Sequence, residues 1–171
     1  MRKKFLSAIV IIIITKTTIL FNFGDAVVEG VKMKKSVLLN APISRVVALM
    51  GHGDSIAIAD AGLPVPQMVE RIDLALMDGI PSFFDTVFAV STEMFVESML
   101  IAEEMSLEQP ELHARLIKEI EQLSETQGNH IQISSVPHNV FKQKTQGCKA
   151  IVRSGECTPY SNVIFYSGVN F

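Results

Sequence analysis

The sequence predicts an α/β domain in which helices pack on a central sheet in three layers. Helical and strand-like patterns alternate from Met33 to the end of the chain, an arrangement typical of such domains. An amphipathic pattern over residues 110–127 has the period of a helix, and the apolar run from Ser55 to Ala59 has the length of a buried strand. These observations favour a single compact domain.

The first half of the predicted domain begins with a helix. Asn40 is a typical N-cap, Pro42 falls in the first turn, and Gly51 ends the helix. Two strands are expected next, over Ser55 to Ala59 and over Ile72 to Leu76. A helix from Pro81 to about Val90 and a further strand over Phe95 to Ala102 follow them.

The second half contains the clearest helix of the chain. Pro110 suits its first turn, and Gly128 closes it. Its buried stripe is formed by Leu112, Leu116, Ile117, Ile120 and Leu123. The remaining elements are expected to be a strand around Ile131 to Ile133, a short helix from Pro137 to Thr145, and terminal strands over Lys149 to Arg153 and Val163 to Tyr166.

Bulk composition excludes several classes of protein. The 171 residues suffice for one domain with a buried core. A net charge of −3 and a pI of about 5.8 argue against nucleic-acid binding. Cys148 and Cys157 show no partner pattern, which favours a reducing compartment over a disulfide scaffold. The two cysteines and four histidines lack the spacing of metal ligands, so no metal or other cofactor is expected.

Residues 1–32 form a separate N-terminal extension in this interpretation. Arg2-Lys3-Lys4 precede an apolar run from Phe5 to Ile14, as in a secretory signal, and Lys16 interrupts it before it reaches transmembrane length. The favoured interpretation is a misassigned start, with translation beginning at Met33. Codons for Glu29-Gly30 are purine-rich enough to serve as a ribosome-binding site. A genuine signal or anchor is the alternative.

The most informative stretch is Gly51-His52-Gly53-Asp54 with the loop from Asp60 to Pro66. It places His52 and Asp60 at the two ends of one predicted strand. Glycine allows close approach of a ligand, and histidine titrates near neutral pH and suits general acid–base work. On spacing alone, such a pair is more often solvated or caps a turn.

This stretch and two later blocks resemble the D-ribose pyranase family, small isomerases of ribose uptake systems. The later blocks are Arg71-Ile72-Asp73-Leu74-Ala75-Leu76 with Gly79-Ile80-Pro81-Ser82-Phe83, and the segment from Ile151 to Asn162 with Gly168-Val169-Asn170-Phe171. The resemblance covers nearly the whole chain from Met33. It implies a mixed rather than purely parallel sheet.

The resemblance also implies the site residues. His52 matches the acid/base position and is expected to be the proton donor, while the substrate-binding positions match Asp60, His138, Tyr160, Ser161 and Asn162. As residue types, Tyr, Asn, Asp and His supply the donors, acceptors and aromatic face that a sugar requires. By default, the loop with Tyr160 and Asn162 is an ordinary turn.

The remaining charged and histidine residues have plainer expectations. His113, on the polar side of the long helix, and His130, after a helix end, are expected to face solvent. Arg153 and Glu156 are expected to form a structural pair or to anchor a loop.

The function implied is interconversion of the β-pyranose and β-furanose rings of D-ribose, feeding ribokinase. Fucose mutarotase is the nearest alternative, since that sister family shares the Gly-His-Gly-Asp start, but the Gly-Leu-Pro-Val-Pro and Arg-Ile-Asp-Leu-Ala-Leu blocks favour ribose. A non-catalytic sugar-binding partner of a ribose transporter is another alternative. The resemblance implies a cytoplasmic, ring-shaped oligomer, most simply a decamer, in which the C-terminal loop could complete a neighbour's pocket.

Overall fold

The computed structural model describes residues 34–170. The chain divides into two compact units, residues 1–35 and 36–171, and every helix and strand named below belongs to the second. The expected boundary at Met33 and the signal-like run of residues 1–32 lie outside the described residues and stay predictions. Among residues 34–170, no helix has the length and apolar content needed to cross a membrane.

Six strands form one mixed sheet. They are β1 (Ser55–Ala59), β2 (Glu70–Asp73), β3 (Val96–Ala102), β4 (Gln132–Val136), β5 (Ala150–Arg153) and β6 (Val163–Ser167). Their order across the sheet is β2-β5-β1-β6-β3-β4. The strand β6 runs antiparallel to both of its neighbours, β1 and β3, whereas the other pairings are parallel. The predicted mixed α/β sheet is confirmed.

Within residues 34–170, five helices accompany the sheet. They are α1 (Ala41–Leu49), α2 (Phe83–Ser91), α3 (Glu103–Glu108), α4 (Pro110–Gln127) and α5 (His138–Lys144), the last followed by a short 3-10 turn over Thr145–Gly147. Asn40 caps α1 by accepting the N–H of Ile43 at 2.9 Å. Gly128 ends α4 in the left-handed region at φ 72°, as predicted from its sequence.

Strand β1 shows how the layers form, because all five of its residues are buried. Ile56 and Ile58 belong to a large core that α1, α2 and α4 cover on one face of the sheet. Ala57 and Ala59 belong to a smaller core on the other face, where Phe141 of α5 packs. Side chains that alternate between two covered faces give the three-layer arrangement.

Three local expectations need correction. The second strand is Glu70–Asp73, not Ile72 to Leu76, since β2 is an edge strand and Leu76 is 79 % exposed beyond it. The helix expected at Pro81 begins at Phe83 instead, because Ser82 and Asp85 form a reciprocal capping box. Helix α3 was not predicted, since six residues are too few for a periodic pattern to be distinguished.

Gly155 lies where the loop after β5 crosses the turn that precedes α2. A methyl group added there would lie 2.3 Å from the carbonyl oxygen of Ile80 and 2.5 Å from that of Met77, and both are backbone atoms. We therefore expect Gly155→Ala to lower the free energy of unfolding by about 1–3 kcal/mol, as measured by urea denaturation. Gly147→Ala is the control, since its added methyl meets no atom within 4 Å. Equal stability of the two variants would contradict the expectation.

Candidate active site

The predicted site residues lie at two opposite edges of the sheet, and the direction of β6 determines which of them share an edge. Because β6 is antiparallel to β1 and β3, its first residue, Val163, lies beside Ile58 and Ile101, near the ends of those strands. Asp60, His138 and the loop of residues 158–162 therefore meet at one edge. His52 lies at the opposite edge, because a five-residue strand spans about 13 Å.

Asp60 is buried and fixed by Asn162. The Asn162 side chain donates to Asp60 Oδ2 at 2.6 Å and accepts the Asp60 N–H at 3.0 Å. The N–H of Gly62 donates to Asp60 Oδ1 at 2.9 Å. A carboxylate can accept further hydrogen bonds beyond these two, so Asp60 presents a rigid acceptor.

His138 and Tyr160 form an aromatic wall beside Asp60. Their rings meet edge to face with centroids 5.1 Å apart. The N–H of His138 donates to both Glu104 oxygens, at 2.9 and 3.1 Å, which holds the start of α5. The Nδ1 of His138 is buried and has no hydrogen-bond partner among the described residues. A buried polar atom left without a partner is unusual in a folded protein.

Tyr160 has an unusual backbone and an acidic neighbour. Its φ of 65° is in the left-handed region, which turns the loop so that the ring faces His138. The negative charge of Glu108, together with burial and a hydrogen bond to that carboxylate, raises the pKa of Tyr160. The phenol therefore stays protonated near neutral pH and serves as a hydrogen-bond donor.

These side chains border a surface cleft of ≈ 420 Å³. Its lining consists of Asp60, Gly62, Leu63, Pro64, His138, Lys142, Cys157, Pro159 and Tyr160. Ser161 and Asn162 are fully buried behind this surface, and the Ser161 Oγ finds no partner among the described residues. The cleft thus offers a carboxylate, an imidazole, a phenol and an ammonium group to one small polar ligand.

Lys142 was missed by sequence reasoning. It follows His138 by four residues on α5, so the two side chains share one face of the helix. The spacing of four residues could have indicated that Lys142 lies near His138. It carried little weight, because a lysine on a short helix is ordinarily a solvated residue.

Arg153 and Glu156 anchor the loop that follows Asp60. Arg153 Nε donates to the carbonyl of Ala61 at 2.9 Å, and the Ala61 N–H donates to the carbonyl of Glu156 at 2.7 Å. The expected anchoring role is confirmed. The ion-pair partner of Arg153 is Asp73 at 3.0 Å rather than Glu156, because β5 and β2 are neighbouring parallel strands.

His52 stands apart from the cleft in this chain. It lies in the exposed turn before β1, where Gly53 adopts φ 81°, and its Nε2 lies 2.9 Å from Glu97 Oε2. Asp60 therefore does not orient His52 within one chain. Neither His113, which is half-buried rather than solvated, nor His130, which is exposed as expected, lines the cleft.

Among residues 34–170, no group of three His, Cys, Asp or Glu side chains is placed to hold a metal ion. The side chains that line the cleft suit a polyhydroxylated ligand.

Comparisons with known proteins agree with this picture. The model of the RbsD / FucU transport protein family matches residues 33–170. The D-ribose pyranases of Pasteurella multocida and Vibrio parahaemolyticus are 55 % and 53 % identical to this chain over 139 residues, which is 81 % of this chain and 100 % of each relative.

Two solved structures have a similar fold. The structure of Bacillus subtilis RbsD complexed with D-ribose is 41 % identical, with a TM-score of 0.72 over 81 % of this chain and 100 % of that one. The fucose mutarotase of Streptococcus pneumoniae in complex with L-fucose is 21 % identical, with a TM-score of 0.58 over 76 % of this chain and 93 % of that one. The second likeness concerns the fold alone.

Proposed function

Because this chain belongs to the RbsD / FucU transport protein family, we propose that it is a D-ribose pyranase, an isomerase that interconverts the β-pyranose and β-furanose forms of D-ribose. The observation that carries the proposal is the cleft in which Asn162 holds Asp60 and which the imidazole of His138 also lines, with its buried Nδ1 left without a partner among the described residues. A fixed acceptor next to an unsatisfied ring nitrogen suits a ligand with several hydroxyl groups.

The reaction opens and recloses a hemiacetal. His52 donates a proton to the ring oxygen while a base, which is a side chain or water, takes the proton of the anomeric hydroxyl, so the C–O bond breaks and the open aldehyde forms. A different hydroxyl then attacks the carbonyl carbon, and the proton transfers run in reverse. Asp60, His138, Tyr160, Ser161 and Asn162 form the substrate-binding set in this proposal.

An NMR exchange experiment tests the function directly. Saturation transfer between the anomeric signals of D-ribose, with L-fucose in parallel, measures the rates of ring exchange for both sugars. Faster pyranose–furanose exchange of ribose is expected. Faster exchange of fucose alone would favour a fucose mutarotase, and ribose binding without faster exchange would favour a non-catalytic sugar-binding protein.

We further propose that the complete site forms between two copies of the chain. His52 and the cleft lie at opposite edges of one sheet, so a single chain cannot bring both to one sugar without unfolding β1. A contact between the His52 edge of one copy and the cleft of the next is heterologous, and such contacts form a ring when the rotation between copies closes. This supports the ring-shaped oligomer, with the decamer implied by the family resemblance.

Mixing two inactive variants tests the shared site. His52→Ala and Asp60→Asn each disable one half of a site, so co-refolded mixed rings should regain about one quarter of the wild-type rate by random assortment. Sedimentation velocity would check that each variant still assembles. No recovery in rings shown to be mixed would contradict a site shared between copies.

A cytoplasmic location is likewise proposed. Cys148 and Cys157 are both free thiols, and burial raises the pKa of Cys148 to about 11, which keeps it protonated and unreactive. Unpaired cysteines suit a reducing compartment. Cell fractionation would test this location, and intact-mass analysis of the native protein would decide whether it starts at Met33.

A further inference from the structure

We propose that Glu97 is the positioning residue of His52 and that it leaves Nδ1 of the imidazole as the nitrogen that exchanges the proton with the sugar. This inference rests on the proposed function, since it deepens the role given to His52. It is carried by the strand geometry around the two residues.

The contact itself assigns the two ring nitrogens. Nε2 of His52 lies 2.9 Å from Glu97 Oε2. An ionised carboxylate only accepts hydrogen bonds, so Nε2 must carry the hydrogen that joins them. The other nitrogen, Nδ1, is then the one free to give or take a proton. A carboxylate that holds one imidazole nitrogen in this way sets the tautomer and the ring orientation.

Glu97 reaches His52 across an intervening strand. β6 lies between β1 and β3, so the backbones of β1 and β3 are separated by about 10 Å. At this edge β6 is held to the His52 turn, because the Ser167 carbonyl accepts the Gly53 N–H at 2.8 Å and the Ser167 Oγ donates to the Gly51 carbonyl at 2.5 Å. The turn is therefore fixed relative to the strand over which Glu97 extends.

A bulge in β3 sets the direction of Glu97. Val96 pairs with Ser167 and Ser98 pairs with Tyr166, so Glu97 is the extra residue of a β-bulge opposite a single step of β6. Bulges locally disrupt the ladder and re-aim a side chain. In a regular strand, successive side chains point to opposite faces of the sheet, and that alternation would set the direction of Glu97 instead.

Gly168 provides the room for this contact. A methyl group added to Gly168 would lie 2.9 Å from Cβ of Glu97 and 3.1 Å from the Phe95 ring. The backbone that follows β6 can lie this close to Glu97 because Gly168 has no side chain. The bulge, the close glycine and the anchored turn converge on the same pair of side chains.

Stability alone does not account for the pair. The side chains of His52 and Glu97 are 58 % and 53 % exposed, and ion pairs in such positions contribute little to folding. Since an exposed pair adds so little, orientation of the imidazole is the effect that distinguishes Glu97 from other surface carboxylates.

Kinetics of Glu97 variants in the full-length oligomer test the proposal. Glu97→Ala is expected to lower kcat for ribose exchange roughly 10-fold, less than the loss of His52 itself, with KM changed less than about two-fold. Glu97→Gln retains an acceptor for Nε2–H and should fall between Glu97→Ala and the wild type. Glu121→Gln, at an exposed position of α4, is the matched control and should behave as the wild type.

A double-mutant cycle separates positioning from an independent effect. In a His52→Ala background, Glu97→Ala should cause no further loss, because its only route to the reaction has been removed. A wild-type kcat for Glu97→Ala, a loss confined to KM, or a loss that adds fully to that of His52→Ala would each overturn the inference. Wild-type exchange by His52→Ala would instead overturn the role of His52 in the proposed function, and this inference with it.

Discussion

We expect His52→Ala to lower the rate of pyranose–furanose exchange by about 10²–10⁴-fold, while the fold is kept. The imidazole lies in an exposed turn, and the backbones of Gly51 and Gly53 make the contacts to Ser167 that hold this edge. Truncating the His52 side chain leaves those contacts as before. The uncatalysed ring opening sets the residual rate. Saturation-transfer NMR measures the exchange, and circular dichroism reports the fold.

His130→Ala is the matched control for this substitution. Like His52, it is exposed, precedes a strand and does not line the cleft, but the family resemblance gives it no role in the site. Its removal should leave the exchange rate unchanged. Near-normal catalysis by folded His52→Ala protein would remove His52 from the mechanism.

The second large effect is expected at Asp60. In the wild type, the Asn162 side chain donates to Oδ2 of Asp60 at 2.6 Å. In Asp60→Asn, an amide takes the place of this carboxylate. In one orientation, the new amide nitrogen faces the donating side-chain nitrogen of Asn162, and that hydrogen bond is lost. In the other orientation, it faces the N–H of Gly62, which then loses its acceptor. The charge that would accept sugar hydroxyls is also lost.

We expect Asp60→Asn to weaken ribose affinity by about 10–100-fold, as measured by calorimetry, since buried charged hydrogen bonds have effects of this size. Glu70→Gln, which removes a carboxylate from an exposed pair with Arg45, is the control. No covalent sugar species should accumulate on either variant. A sugar adduct on Asp60 in mass spectra of the wild type would show that Asp60 is a nucleophile, contrary to its proposed binding role.

The sequence was sufficient for elements whose determinants are local. The apolar stripe, Pro110 and Gly128 predict α4 with the bounds that the structure has. Asn40 predicts the start of α1, and the apolar run of β1 predicts a strand buried on both faces. In each case, periodicity and capping act within a few residues of the chain, so tertiary contacts were not needed to predict them.

The candidate site was only partly predictable, because some of its residues are brought together by tertiary contacts rather than by a local pattern. Asp60, His138 and Tyr160 were expected as binding residues and do meet at one cleft. Lys142 and Glu104 were not expected, because a lysine on a short helix and a glutamate in an unpredicted helix carry no distinguishing local pattern. Their proximity depends on where α3 and α5 begin, at the ends of the paired strands β3 and β4.

What the sequence determined by itself is most of the helices and strands and most of the residues suited to bind a sugar. Only the tertiary structure decided that His52 and Asp60 lie at opposite edges of the sheet and that Glu97 contacts His52. Both outcomes follow from the insertion of the antiparallel strand β6 between β1 and β3, with its bulge at Glu97. Strand order and register depend on contacts between residues far apart in the chain, and no local pattern of side chains encodes them.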